Sequence, residues 1–374
     1  MSWGRLLAIL VKEFRQIRRE RLTFAMMVGI PIMQLVLFGY AINTDPRRLP
    51  LAAVVADHSE FSRSLVAALE NSRFFRLAAQ PRDEAEADRM LAQGEVQFVL
   101  VVPADFSRRL LRGERPALLM AADATDPAAG GNALAALSGI AAQAIGRDLD
   151  GPLARLKQGE PPFALRVQRR YNPEGLSRYN IVPGLVGVIL TMTMVMMTAL
   201  AMTRERERGT MENLLATPAT PLEVMVGKIA PYILIGYVQV AVILLAARLL
   251  FDVPMVGSLA LLSMALVLFM AANLAVGFTF STIARNQLQA MQLTFFFFLP
   301  SLLLSGFMFP FRGMPAWAQW LGETLPLTHF LRIVRGILLK GNDLAAIAPD
   351  LWPIALFMLA AGIVALARYR QTLD

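Results

Sequence analysis

Six long apolar runs set the terms for anything this chain can become. They cover about Leu22–Ile42, Ile181–Met202, Ile229–Phe251, Leu259–Ile283, Met291–Pro310 and Leu351–Ala367. Each is close to the roughly 20 residues that cross a bilayer as a helix. None holds Lys, Arg, Asp or Glu well inside it. Arg248 comes nearest, in the last turn of the third run, where a long side chain reaches the membrane interface. The first run is longer than the apolar part of a signal peptide, about 7–15 residues, and reads as an uncleaved anchor.

Composition supports a lipid-embedded chain. Hydrophobic residues make up 56% and charged residues 17% of the sequence, against about 45–50% and about 25% in soluble domains. The net charge of +8 reads as topological anchoring beside spans rather than as a nucleic-acid footprint. The sequence contains no cysteine and two histidines, His58 and His329. Disulfides, thiolate nucleophiles and thiolate metal sites are therefore excluded.

Basic residues in short flanks orient the spans. Arg5, Lys12, Arg15, Arg18, Arg19 and Arg21 precede the first run. Arg204, Arg206, Arg208 and Lys228 lie between the second and third, Arg285 between the fourth and fifth, and Arg368 and Arg370 after the sixth. With six crossings in order, all of these share the cytoplasmic side, and so do both termini. Arg312, Arg332, Arg335 and Lys340 lie on the opposite side and conflict mildly with that map.

The expected fold is an α-helical polytopic membrane protein of six transmembrane helices, with an extracytoplasmic α/β domain inserted between spans one and two. Residues 1–21 are expected as a cytoplasmic amphipathic elbow helix, 22–42 as the first span, 43–178 as the inserted domain and 179–374 as spans two to six. Within the domain, LPLAAVVAD, VQFVLVVP and ALLMAAD read as buried strands. FSRSLVAALE places Phe61, Leu65, Ala68 and Leu69 on one helical face. DEAEADRMLAQG reads as a helix stopped by Gly94, and NALAALSGIAAQAIGRDL as a third helix.

Between spans two and three stands RERERGTMENLLATPATPLEV, within a segment expected over 203–224. Arg204 to Arg208 alternate in sign, and Glu205 and Arg208 form an i,i+3 pair. Gly209 permits a bend and Thr210 can cap a short helix. Met211, Leu214 and Leu215 form one apolar edge of that helix. Pro218 and Pro221 end it, and Thr220 to Glu223 make a capping box with proline at the first helical position. On residues alone, this segment reads equally as a docking edge for a soluble partner and as a solvated loop touching headgroups.

Between spans five and six, Met314–Leu321 and Thr328–Leu339 read as two short helices, with Thr328 as cap and Gly341 as stop. Trp317 and Trp320 suit a membrane interface. Arg332 and Arg335, three apart, share a face. His329, among apolar neighbours, reads as a hydrogen-bonded structural histidine. Met192, Met194, Met196, Met197 and Met202 scatter around the second span as adaptable packing rather than soft-metal ligands. Gly227-Lys228 lacks the spacing of a phosphate loop.

The segment ERERGTMENLLATPATPLEVMVGKIAPYILIGYVQ resembles its counterpart in type-two ATP-binding-cassette (ABC) exporter permeases. RRYNPEGLSRYNIVPGL, LPSLLLSGFMFPFRGMPAWAQWLGETLPLTHFLRIVRGILLKG and the basic start KEFRQIRRERLTF resemble other parts of that family. The likeness is to its multidrug-exporter-like subgroup with a large extracytoplasmic domain. It implies an export permease without its own nucleotide-binding motif, not an enzyme by itself, in the bacterial cytoplasmic (inner) membrane. ATP and Mg would be bound by a separate ABC ATPase subunit, with no cofactor on this chain. A second permease copy, identical or a paralogue, and a periplasmic adaptor are further implied partners, alongside membrane lipid; nucleic acid is not one.

The resemblance assigns contact with the ATPase to Glu205, Arg206, Glu207, Gly209, Thr210, Glu212, Leu214 and Leu215. It makes 311–341 a pair of re-entrant helices closing the outer mouth, with Trp317, Trp320, His329, Arg332 and Arg335 at the gate. Uncharged span cores argue against a proton relay and point to hydrophobic or amphipathic cargo, drug-like or lipid-like. The alternative is a membrane-anchored sensor or scaffold that uses the inserted domain for binding.

Overall fold

The computed structural model describes residues 47–149, 151–157, 161–207 and 221–368. The expected elbow, the first span and most of the docking segment lie outside the described residues.

The α/β domain is built on a five-stranded mixed sheet. Its strands are β1 (Leu49–Val55), β2 (Phe75–Ala79), β3 (Phe98–Val102), β4 (Ala117–Asp123) and β5 (Ala164–Arg170), in the order β2-β1-β3-β4-β5. Only β3 and β4 run antiparallel; the other neighbours are parallel. Strand side chains alternate between faces, and both faces of β1 are covered. Leu49, Leu51 and Ala53 join the core beneath helices α1 (Glu60–Asn71) and α4 (Pro127–Asp148). Ala52 and Val54 face Ala87 and Leu91 of α2 (Glu84–Gln93). A short α3 (Phe106–Leu111) adds Phe106 and Leu110 to the first core.

The helix signals read from sequence are used. Asp83 caps α2 by accepting from the Glu86 amide, and Gly94 ends it at φ 77°, a left-handed conformation that favours glycine. Ser59 caps α1. On α1, Phe61, Leu65 and Leu69 are buried as expected, with Ser62 beside them, while Ala68 is half-buried. Two strands add to the three expected. β2 and β5 are the sheet edges, and β5 is exposed over Arg166–Arg169, so hydrogen bonds to β4, not apolar content, define it.

Five helices are long and apolar enough to cross a membrane: α5 (Ser177–Glu207), α6 (Pro221–Phe251), α7 (Leu259–Ile283), α8 (Gln287–Leu304) and α11 (Leu344–Arg368). At about 1.5 Å per residue, the 25 residues of α7 span about 37 Å, enough for a hydrocarbon core of about 30 Å. α5 and α7 are the most buried, α6 and α11 the least. On α6, Leu234, Val238, Val242, Leu245 and Leu249 are exposed at helical spacing; on α11, Trp352, Leu356, Leu359 and Ile363 are. Such apolar stripes require lipid or protein cover.

Small residues bring the central helices together. A Cβ on Gly277 of α7 would lie 2.5 Å from the Val195 carbonyl oxygen of α5. Thr193 of α5 donates to the Gln239 side chain of α6 at 3.0 Å, and Tyr237 of α6 pairs with the Ser263 hydroxyl of α7 at 2.6 Å.

Some boundaries differ from expectation. The fifth span starts at Gln287 because Asn286 caps the helix through the Gln289 amide. The sixth starts at Leu344, and Pro349 and Pro353 lie inside it. The hairpin between them is α9 (Ala316–Glu323) and α10 (Pro326–Arg335), followed by a π turn over Gly336–Lys340. Thr328 does not cap: Pro326 opens α10, and the Thr328 hydroxyl donates to the Gly322 carbonyl at 2.7 Å. Gly341 does stop the segment, at φ 72°.

Candidate functional site

Alternating helix direction sorts the bundle into two ends. The α/β domain, the 252–258 connection and the α9–α10 hairpin share one end; the Val256 amide donates to the Leu338 carbonyl there. Glu207, the 284–286 turn and Arg368 mark the far end.

At the far end, α5 carries the first residues of the expected docking segment. Glu207 is fixed to the start of α8. Its Oε1 accepts from the Gln287 amide at 2.8 Å and its Oε2 from the Gln287 side-chain amide. These hydrogen bonds, side-chain first, hold the exposed Glu207 carboxyl below the usual glutamate range. Arg204 Nε donates to the Gln287 side-chain oxygen at 3.5 Å. Gln287 thus bridges a cation and an anion of α5, and Gln289 closes the adjacent turn by accepting from the Arg285 amide at 2.9 Å. Glu205 and Arg206 continue α5, and the helix after the segment opens at Pro221, where the capping-box reading puts it. Gly209, Thr210, Glu212, Leu214 and Leu215 lie outside the described residues.

At the domain end, the hairpin side chains form a closed polar network. Arg332 holds Glu323 with both terminal nitrogens, Nη1 at 3.0 Å and Nη2 at 2.5 Å, and reaches Asp350 at 3.3 Å. It also lies over the Phe311 ring, 4.8 Å from its centre. His329 is buried; its Nδ1 lies 2.7 Å from Asp350 Oδ1, and its Nε2 donates to the Glu323 carbonyl at 2.9 Å. The structural reading of His329 therefore holds: it ties α9, α10 and α11 together. Trp317 and Trp320 are exposed, outside this network.

Arg332 and Arg335 do not act as one face. Arg335 turns toward α5 and donates to the carbonyls of Asn180 at 3.4 Å and Gly306 at 3.3 Å. The basic residues that conflicted with the charge map are held by this end of the protein. Lys340 pairs with Asp123 of β4 at 2.5 Å, both nearly buried, and Arg312 donates to the Gly94 carbonyl at 2.6 Å. Asn342 donates to the Ala92 carbonyl at 3.2 Å. These contacts fasten the α/β domain onto the hairpin. Sequence reasoning missed Gln287, Glu323, Asp350 and Asp123, because each gains its meaning from a partner at least nine positions away. The one available signal was the surplus of basic residues in the hairpin. Among the described residues no group of three His, Asp or Glu side chains is placed to hold a metal.

Residues 21–367 match the family model described as "ABC-2 family transporter protein". The chain belongs to the ABC-2 transporter family. It is a multi-pass transport permease and not an enzyme by itself. Over 367 residues it is 30% identical to the "Probable multidrug ABC transporter permease YbhS" of Escherichia coli, covering 97% of this chain and 95% of that one. It is 28% identical to the "Probable multidrug ABC transporter permease YbhR" of the same organism, with 98% of each chain covered. To the "Inner membrane transport permease YhhJ" of Escherichia coli it is 31% identical over 87% of this chain and 86% of the other. No solved structure matches the chain. Family membership supports a helical membrane permease; the α/β region and the five apolar helices are its described parts.

Proposed function

We propose that this ABC-2 permease is the membrane-spanning subunit of an ATP-driven exporter in the bacterial inner membrane, moving hydrophobic or amphipathic compounds outward. ATP and Mg are bound and hydrolysed by a separate ABC ATPase subunit, and a second permease copy completes the path. The far end of the bundle faces the cytoplasm, and the domain end faces out. A periplasmic adaptor is a further partner on this reading.

One observation carries the reading. Between their end turns, and counting α6 from Pro231, the five described spans hold no Asp, Glu, Lys, Arg or His, except Arg248 in the last turn of α6 and Asp350 near the domain end of α11. Proton-coupled carriers keep such groups at mid-membrane. Work must then enter from outside the bundle. The Glu207–Gln287 bridge gives it a route, since a push on the segment after Glu207 reaches α8 as well as α5. The multidrug names of the relatives favour hydrophobic or amphipathic cargo.

The docking residues are proposed as Glu205, Arg206, Glu207, Gly209, Thr210, Glu212, Leu214 and Leu215, with charge setting register more than affinity. The hairpin of Trp317, Trp320, His329, Arg332 and Arg335 is proposed as the outer gate. Charge reversal of Glu205 and Glu207 together leaves insertion intact and uncouples ATP use from efflux in vesicles. Leu215→Asp weakens recovery of the ATPase with the purified permease. Normal efflux in the first variant and full ATPase recovery in the second would overturn the docking assignment.

A further inference from the structure

A cleft of about 930 Å³ opens between the α/β domain and the helices of the domain end. Its walls divide by chemistry. Arg312, Arg335 and Lys340 line the part nearest the α/β domain. Ile347, Trp352 and Pro353 of α11 line the part that runs along the last span. Pro353 lies nine residues beyond Leu344, where that helix begins, so this apolar wall extends about 13 Å along it.

The cations of this cleft are not equally engaged. Lys340 has Asp123, and Arg332 has Glu323 and Asp350. Arg312, exposed at the mouth, ends on the Gly94 carbonyl. Arg335 ends on two backbone carbonyls, and its second terminal nitrogen is buried with no partner. No carboxylate of the described residues lies within ion-pairing distance of either Arg312 or Arg335. The acids nearest in effect to Arg335 are Asp126 and Asp123. Asp123 already holds Lys340, and Asp126 accepts from the Ala128 amide and the Asn180 side chain. The Gln97 side-chain oxygen on the same wall also lacks a partner.

Leaving a buried donor of a charged group unmade is costly, and a guanidinium fork matches an oxyanion with two parallel hydrogen bonds. We infer that this cleft binds the phosphate-type head group of an anionic amphiphile, with Arg335 and Arg312 on the oxyanion and the tail along Ile347, Trp352 and Pro353. The same head-group chemistry is offered by a bilayer phospholipid and by free phosphate. The inference needs only the described cleft and stands apart from the docking assignment and the direction of transport.

The test uses the full purified chain in phosphatidylcholine nanodiscs, titrated with dihexanoyl phosphatidic acid, dihexanoyl phosphatidylcholine and inorganic phosphate. Phosphatidic acid is expected to bind at least tenfold more tightly than phosphatidylcholine and to weaken as salt rises. Arg335→Gln combined with Arg312→Gln is expected to lose at least tenfold in that affinity, and the Lys counterparts to retain part of it. Tighter binding of phosphatidic acid than of inorganic phosphate supports the site with a lipid as its source. Equal affinities support the oxyanion site with free phosphate as its ligand. Equal binding of the phosphatidic acid and phosphatidylcholine by the unaltered chain, which needs no variant to fold, would overturn the inference. So would unchanged affinity in the Gln variant.

Discussion

Lys340→Met isolates the contact that fastens the α/β domain to the bundle. Lys340 and Asp123 are 8% and 12% exposed, and their charged atoms are 2.5 Å apart. Removing one partner of a buried pair costs about 3–5 kcal/mol, because the other charge stays behind unpaired. Asp123 keeps two hydrogen bonds on its other oxygen, from the Thr125 amide at 3.0 Å and the Thr125 hydroxyl at 2.7 Å. The cost therefore falls at the low end, about 3 kcal/mol, which is about a 100-fold change in an equilibrium. Hydrogen exchange of the full chain reads this directly, since local opening free energies set exchange rates. Amides over 123–125 and 338–342 are expected to exchange about 100-fold faster in Lys340→Met, with α1 unchanged. Combining it with Asp123→Asn removes both charges and is expected to recover part of the loss. Unchanged exchange in both peptides, or a double variant as fast as the sum of the singles, would refute the reasoning.

Because the sequence contains no cysteine, single-cysteine labelling maps the sides of the membrane cleanly. Arg112→Cys on the domain is expected to react with an impermeant maleimide in intact cells, and Arg285→Cys only after permeabilisation; the reverse pattern would invert the proposed orientation. Gly277→Ala forces a methyl group against the Val195 carbonyl and is expected to cost about 1–3 kcal/mol, seen as a lower melting temperature in detergent. Gly362→Ala, which meets nothing within 4 Å, is the control and is expected to be neutral or mildly stabilising. Asp57 is buried, which raises its pKa, but hydrogen bonds from Ser107 and Ser59 outweigh burial and leave it lowered. Its contribution is therefore present above the usual carboxylate range and is lost only as pH falls below it. Asp57→Asn is expected to remove that acid-side dependence in exchange over 106–111; an unchanged pH profile would count against it.

The readable parts of this fold were those set by local signals. Hydropathy gives α5 through α8 and α11 because lipid leaves little choice of partner for such helices. α2 is legible because Asp83 and Gly94 punctuate it. β5 was not, since ALRVQRR is an edge strand whose only claim to extended structure is its ladder with β4. The hairpin helices were legible as helices, but their chemistry was not. Arg332 and Arg335 look alike in sequence, three residues apart on one element. Only the chain's return through Glu323, Asp350 and Asn180 separates a paired guanidinium from one that ends on carbonyls. Glu207 was singled out for its place in an alternating run, but its bond to Gln287 joins positions 80 residues apart.

The central claim is that work enters this permease from a separate ATPase. The most direct measurement is solute movement in proteoliposomes, comparing the permease alone under an imposed ion gradient with the permease plus its ATPase and ATP. The account predicts uphill transport only in the second case, abolished when ATP is withheld. Uphill transport by the permease alone, driven by the gradient, would contradict it.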